Sequence, residues 1–515
     1  MSDPWRQAFA RVPELLAAHV QLSFSALLLA ILICLPLAIW AARSSRIAGI
    51  ALTVASLIQT IPGLALLALF YPLLLGLSAL FGGGISALGF LPALLALTLY
   101  ALLPILRNAV TGLTGIDPAA REAADGLGMT KFQKLRLVEA PLAAPTIMAG
   151  IRTAAVWTIG AATLSTTVGQ PSLGDMIFAG LQTQNWNLVL AGCLVSAALA
   201  ISVDILLGLI ERAIRNRHKI LAWGSAAVLG LGLVVASLPL LSSDNDEIII
   251  GAKGFSEQFI LARLIGSRLE EAGYKVRYRD GLGSAVVFQA VASDDIDISI
   301  DYSGTIWTNQ MKRTDRVAPD QMLKEIAIWA DEKHGVAMLG ALGFENTYAF
   351  AVRAKDAADR SLKTLDDLAR VSPDFAFGSD VEFLERPEWK MVQQAYPLRF
   401  KQLRSFNPTF MYPALKNGEV DVISAFSSDG RIAANGFVVL KDPKGAVPSY
   451  EAMLLLAPGR SNDIKLINAI KPLIGAIMVE NMREANYRVD RDTNKQTPVQ
   501  AAIWLDQRLR SEKVE

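Results

Sequence analysis

The sequence predicts an all-α membrane domain followed by a two-lobed α/β domain. Three observations lead there. Hydrophobic residues make up 52% of the 515 and charged residues 19%, with a mean hydropathy of +0.36, too apolar for a soluble enzyme. Nearly all the long apolar runs fall between residues 20 and 241. After Asp246 short apolar strands alternate with segments of helical periodicity, the texture of α/β layers.

About 20 apolar residues cross the hydrocarbon core of a bilayer. The runs 22–42, 47–78, 86–107, 146–168, 188–210 and 220–241 are therefore expected spans. The second is longer than one span needs. Thr60-Ile61-Pro62-Gly63 is expected to break or bend it, because Pro62 lacks a helical donor. Positive charge sets the orientation. Arg43 and Arg46 follow the first span, and Arg212, Arg215, Arg217 and Lys219 separate the fifth from the sixth. Arg107, Arg121, Lys131, Lys134, Arg136 and Arg152 surround the loop at 116–145. The loops around 82–86 and 169–175 have no Lys or Arg. This alternation places 116–145 in the cytoplasm, with residues 1–19 and everything after Leu241 outside. Residues 220–241 follow Arg215-Asn-Arg-His-Lys219 and would resemble a signal peptide alone. SLPLLSSDND has no convincing small-residue cleavage site, so a sixth span tethering the next domain is expected. The expected division is a segment 1–19, a transmembrane domain 20–215, a span and linker 216–246, and a globular domain 247–515.

Several function classes drop out. A net charge of +1 gives no bulk attraction to nucleic acid. Cys34 and Cys193 both lie in apolar runs, so no disulfide framework is expected. His19, His218 and His334 are far apart, and no metal or cofactor motif is present. No GxxxxGK[ST] loop occurs, so ATP is not bound by the common route.

The loop reads EAADGLGMTKFQKLRLVEAP from Glu122 to Pro141. Glu122-Ala123-Ala124 is followed after three residues by Gly128, after nine more by Val138, then by Ala140-Pro141. This resembles the EAA signature of permease subunits of ATP-binding-cassette importers, with Val138 and Ala140 where that family has Ile and Leu. The flanking QTIPGLALLAL (59–69) and YALLPILRNAVTGL (100–113) resemble the betaine and choline subgroup. The resemblance implies a type I importer fold, in which a short helix, a turn at Gly128 and a second helix dock on a separate ATPase. Glu122, Ala123, Ala124 and Gly128 are then the coupling residues. It also implies a homodimer of this chain around the path. The bland reading is a solvated loop between two spans.

The outer half can be followed in order. Residues 247–255 (EIIIGAKGF) read as strand and turn, and 256–273 as a helix ending at Gly273. KVRYRDGLG reads as strand and turn, VVFQAVASDD as helix, and DIDISIDYSGT (295–305) as a strand opening into a glycine turn. A second unit runs through 375–379, 411–432 and 437–442. Two such lobes suggest a cleft that closes on a small molecule. Asp294, Asp295, Asp297 and Asp301 suggest a metal cluster at first sight, but Asp297 and Asp301 share one strand face, so a solvated face is expected.

AKGFSEQ, GLG, DYSGT, FENTYAFAVR, KTLDDLA, YPALKNGEVDV and AFSSDGRI, in that order, resemble extracytoplasmic binding proteins for glycine betaine, choline, carnitine and related quaternary amines. The resemblance covers roughly 247–505 and implies a type II periplasmic-binding-protein fold. This chain departs from that family at Gly254, at GLGSA (281–285) and at DYSGT, so the pocket rim is expected to differ. A quaternary ammonium donates no hydrogen bond and is held by aromatic faces. Tyr302 and Tyr348 match the cage positions, with Phe255 and Tyr412 as further walls. Gln258, Thr305 and Asn346 stand nearby for the ligand's polar end, and Asp429 for orienting a tyrosine or offsetting the cation. The bland readings are core aromatics and, for Asp429 with Arg431, a structural turn with an internal salt bridge. The expected function is uptake of a compatible solute such as glycine betaine, choline, carnitine or proline betaine; the alternative is ergothioneine or another larger betaine. A non-transporting sensor would need no EAA spacing. An enzyme would need a catalytic constellation, and none is visible.

Overall fold

The computed structural model describes residues 3–81, 86–183, 185–216, 218–241, 247–315, 317–491 and 493–512. It divides into two compact units, Met1–Phe178 with Asn187–Asp244, and Ala179–Trp186 with Asn245–Glu515. The linker 242–246 and most of the loop 82–86 lie outside the described residues.

The first unit is helical. Val12–Ala41, Phe90–Thr114, Lys131–Val168 and Trp186–Arg215 are long and apolar enough to cross a membrane. The expected break occurs at Pro62: Ser45–Thr60 and Gly63–Ser78 meet at 99° and count as a fifth span if taken together. The sixth expected span is a helix over Lys219–Leu241, whose described apolar part, Ile220–Ala236, is shorter. The first span begins at Val12, ten residues before the apolar run suggests, because Leu15 and His19 are buried on the same helix.

Small residues let these helices approach closely. A Cβ on Gly150 would lie 2.7 Å from the Pro104 carbonyl, and one on Gly112 would lie 3.2 Å from that of Ala143. Arg152 sits inside Lys131–Val168, within the expected span 146–168, and pairs there with Asp204 and Glu211.

The charged loop is a helix, a turn and a helix. Asp117 caps Pro118–Gly126 by accepting from Ala119 N at 2.9 Å. Gly128 takes the left-handed conformation (φ +71°), and Met129 N donates back to Ala124 O at 3.2 Å, a Schellman-type ending. Thr130 and Gln133 form a capping box for the next helix. That helix passes through a π turn at Leu135–Glu139 and continues as Ala140–Ala162.

The second unit holds two five-stranded sheets. One contains β1 (Glu247–Lys253), β2 (Lys275–Leu282), β3 (Ile298–Tyr302), β4 (Ala337–Glu345) and β10 (Glu451–Leu456) in the order β2-β1-β3-β10-β4. The other contains β5 (Tyr348–Arg353), β6 (Ala376–Asp380), β7 (Gln402–Phe406), β8 (Val422–Phe426) and β9 (Phe437–Leu440) in the order β7-β6-β8-β5-β9. In each lobe the first three strands of that order are parallel and the last two pair antiparallel. The chain passes between lobes at residues 346–347 and 441–450. Asn346 N donates to Tyr450 O at 3.0 Å and ties the two crossings together. The acidic stripe is not the solvated face expected. Asp301 is fully buried and pairs with the buried Lys253 at 2.6 Å, while Asp297 accepts from Ile249 N at 2.7 Å and pairs with Arg460.

Candidate functional site

Parallel strands place their ligand-binding loops at their carboxyl ends, and here those ends converge. Lys253 to Glu257 follow β1, Gly281 to Ser284 end β2, Tyr302 ends β3, Asp380 ends β6 and Phe426 ends β8. With Asn346, Tyr348 and Tyr450 from the crossings, and Asn486 and Asp490 from the helix Val479–Asp490, they line a cavity of about 270 Å³.

One wall is aromatic. Phe255 lies 6.3 Å from Tyr302 and, nearly parallel, 6.3 Å from Phe426. Tyr348 lies 4.9 Å from Phe426 and 5.7 Å edge-on from Tyr450. Tyr302, Tyr348 and Phe255 therefore meet at one cavity, with Phe426 and Tyr450 as walls the sequence reading missed. Tyr412 does not join them. It is 1% exposed, packs in the second lobe's core with Met411, Leu415 and Ile423, and lies under Arg431 at 4.1 Å. The reason is helical: Tyr412 lies within Pro408–Lys416, whose inner face fills the lobe.

The polar candidates separate similarly. Thr305 and Asn346 line the cavity. Gln258 stands behind it, fully buried, bonding Ile300 O at 3.2 Å and the Tyr302 hydroxyl at 3.0 Å. Asp429 lines the cavity and pairs with Arg431 at 2.6 Å, while capping its own helix through Arg431 N at 2.8 Å. Both expected roles thus coexist in geometry: a cavity-lining acid and an internal salt bridge.

Glu257 organises the wall. Its carboxyl accepts from Tyr302 Oη at 2.6 Å, Asn346 Nδ2 at 3.0 Å and Asn486 Nδ2 at 3.1 Å. Burial pushes its pKa above the usual range despite these donors. Burial likewise raises Asp380, and it lifts Asp490 to about 6 against the pull of Arg431.

Three cations face the same space. Lys253 Nζ lies 5.1 Å from the Tyr302 ring centroid. The Arg386 guanidinium lies 5.4 Å from Tyr348 and 5.8 Å from Tyr450, and pairs with buried Glu388 at 3.1 Å. Burial alone would raise Glu388, but Arg386 holds it below its ordinary value. Arg431 is the third. Five buried atoms of the cavity residues have no hydrogen-bond partner among the described residues: Asn346 Oδ1, Asn486 Oδ1, Asp380 Oδ2, Ser428 Oγ and Arg431 Nη1. The amide orientations of both asparagines are set by donation to Glu257.

Sequence signals for the missed residues were uneven. Glu257 and Phe426 stand inside quoted motifs, AKGFSEQ and AFSSDGRI. Asp380, Arg386, Asn486 and Asp490 lie in stretches without a motif, and only the fold brings them in.

The four coupling candidates lie together on the loop. Glu122 and Ala123 are exposed, Ala124 is buried, and Gly128 forms the turn. Leu127 and Phe132 beside them are 77% and 69% exposed.

Comparison with known proteins places both halves in known families. Residues 246–507 match the substrate binding domain of ABC-type glycine betaine transport systems, and residues 34–216 the inner membrane component of binding-protein-dependent transport systems. The ergothioneine transport permease/ergothioneine binding protein EgtU of Helicobacter pylori (strain G27) is 29% identical over 475 residues, 88% of this chain and 82% of its own. The choline transport system permease protein OpuBB of Bacillus subtilis (strain 168) is 41% identical over 38% of this chain and 84% of its own. The carnitine transport binding protein OpuCC of Listeria monocytogenes serotype 1/2a (strain 10403S) is 31% identical over 53% of this chain and 92% of its own. These relatives are transport proteins, not enzymes, and a permease of this kind works with a separate ATPase and a small ligand. The chain belongs to the ABC importer family of the glycine betaine type, an inner-membrane permease joined in one polypeptide to its substrate-binding domain.

Proposed function

We propose that this chain is the receptor and channel of an importer for a zwitterionic betaine that also carries an N–H or O–H donor. The unpartnered atoms of the cavity carry this reading. Three are acceptors, Asn346 Oδ1, Asn486 Oδ1 and Asp380 Oδ2, one is a donor, Arg431 Nη1, and the Ser428 hydroxyl can be either. Leaving a buried polar atom unpaired costs about 1–3 kcal/mol, so the preferred ligand supplies complements. A trimethylammonium suits the rings of Phe255, Tyr302, Tyr348, Phe426 and Tyr450, and a carboxylate suits Arg431. Glycine betaine has no donor for the three acceptors, and choline has no carboxylate for the arginine. Carnitine offers a hydroxyl, and ergothioneine offers ring N–H groups. That EgtU aligns over both halves supports the second. The binding-domain family description favours a second reading, glycine betaine itself as an osmoprotectant.

We further propose that the chain divides near residues 216–246, acts as a homodimer, and keeps the binding domain outside. Glu122, Ala123, Ala124 and Gly128, with exposed Leu127 and Phe132, form the surface that meets the ATPase. Tethering holds the receptor at an effective concentration of about millimolar near its permease.

Asp380→Asn tests the ligand class. Its Oδ1 accepts from Phe383 N at 2.8 Å, a cap that asparagine retains, while the free acceptor becomes a donor. Calorimetric titration of the purified full chain should show ergothioneine or carnitine weakened at least tenfold and glycine betaine unchanged. Equal weakening of all ligands would reject the donor requirement.

A further inference from the structure

The membrane domain holds an ion-pair network that nothing above employs. Arg152 donates from Nε and Nη2 to the two carboxylate oxygens of Asp204, both at 3.0 Å, and from Nη1 to Glu211 Oε2 at 2.7 Å. Glu211 accepts in turn from Arg215 at 2.6 Å. Asp204, Gly208, Glu211 and Arg215 recur at four, three and four residues, so they share one face of Trp186–Arg215. Gly208 completes the seat: a Cβ there would lie 3.2 Å from Arg152 Cζ. A planar guanidinium gripped by a fork and a second carboxylate is a directional joint, more constrained than a point charge.

The joint links two unlike elements. Arg152 belongs to Lys131–Val168, which runs on from the charged loop. The loop helix Pro118–Gly126 is tied to that long helix by Lys134 to Asp125 at 2.6 Å and Arg121 to Glu139 at 3.4 Å. Arg152 follows Glu139 by 13 residues, about 20 Å along the axis. On the other side, only 17% of the apolar window of Trp186–Arg215 is buried. Its packing into the apolar cores is confined to Ala191 with Leu188 and Val195, and to Leu207 with Val203 and Ile210, so the polar joint adds a directional hold to a thin contact. Charged groups within spans are rare and face other protein or water rather than lipid, and Arg152 and Asp204 remain 32% and 37% exposed at their side chains.

We propose that Arg152 is a positioning residue that couples movement of the charged loop to the span Trp186–Arg215, through its fork to Asp204 and its bond to Glu211. The two helices then move as one body when the ATPase acts. This rests on the coupling reading of the loop and is independent of which betaine is carried.

The test uses the full chain with its ATPase in nanodiscs, with Cys34 and Cys193 replaced and spin labels at Leu137→Cys and Ile201→Cys. Dilution with unlabelled chain isolates distances within one copy. The distance distribution should be narrow and the same without nucleotide and with ATP plus vanadate. Arg152→Ala and Asp204→Ala should broaden it at least twofold and make it nucleotide-dependent, while Arg152→Lys, which keeps charge but loses the fork, falls between. The exchange Arg152→Asp with Asp204→Arg, made in a Glu211→Gln background so that two carboxylates do not face each other, should restore the narrow distribution, a rescue that a merely structural defect would not give. A narrow, nucleotide-independent distribution in Arg152→Ala overturns the proposal, as does failure of the exchange to restore it. Glu122→Ala is a separate arm: if ATPase association survives it unchanged, the coupling reading of Glu122 fails while the distance result still decides the joint.

Discussion

Tyr302 carries two separable jobs, and two substitutions distinguish them. Its ring is a wall of the cavity beside Phe255. Its hydroxyl donates to Glu257 at 2.6 Å and accepts from Gln258 at 3.0 Å. Tyr302→Ala removes one desolvated aromatic face, worth about 2 kcal/mol to a bound quaternary ammonium, so Kd should rise about 30-fold. Tyr302→Phe keeps the ring and removes one hydrogen bond each from Glu257 and Gln258, which retain Asn346, Asn486 and Ile300 O as partners, at about 1–3 kcal/mol of stability for the two bonds. It should lower the unfolding midpoint while changing Kd less than fivefold. Calorimetric titration and thermal unfolding of the full chain read the two effects. If Tyr302→Phe weakens binding as much as Tyr302→Ala does, the ring is not what holds the cation and the cage argument fails.

Three other outcomes follow from the same geometry. Arg386→Gln strips Glu388 of its buried partner; such losses cost about 3–5 kcal/mol, so the binding domain's melting temperature should fall by on the order of 10 °C, and an unchanged value would show that Glu388 finds another partner. Burial raises Asp490 from 3.8 to about 6, so the folded state holds its proton more tightly than the unfolded one. Its contribution to stability is full below pH 3.8 and is lost as pH rises to about 6, by at most roughly 3 kcal/mol; Asp490→Asn should therefore gain stability relative to wild type between pH 4 and pH 7 in paired denaturant titrations. A Cβ on Gly430 would lie 2.2 Å from Tyr487 N, where a helix of the second lobe meets Val479–Asp490. Gly430→Ala should hold the lobes apart and weaken ligand binding by about 5- to 150-fold, the size of a 1–3 kcal/mol overpacking cost, and scattering should show a more open domain with ligand present.

Much of the architecture was legible because it is written locally. The bend at Pro62, the turn at Gly128 and the strand-helix alternation each follow from a few adjacent residues. What needed the fold was pairing over long separations. Asp301 was read as solvated because alternation shows which side of a strand it takes and not what covers that side; Lys253 covers it from 48 residues away. Tyr412 was read as a further wall, but it lies within Pro408–Lys416, whose inner face packs it into the lobe. Arg152 was read as a basic residue flanking the loop, inside the expected span 146–168, and only the approach of Trp186–Arg215 shows its partners. Asn486 and Asp490 reach the cavity from a helix over 220 residues beyond Glu257 in sequence, and no local pattern marks them.

The most direct measurement is a competition titration of glycine betaine, choline, carnitine and ergothioneine against the purified chain in one buffer. A donor-bearing betaine binding at least tenfold more tightly than both glycine betaine and choline is the predicted result. Choline or glycine betaine binding as tightly as either would contradict it.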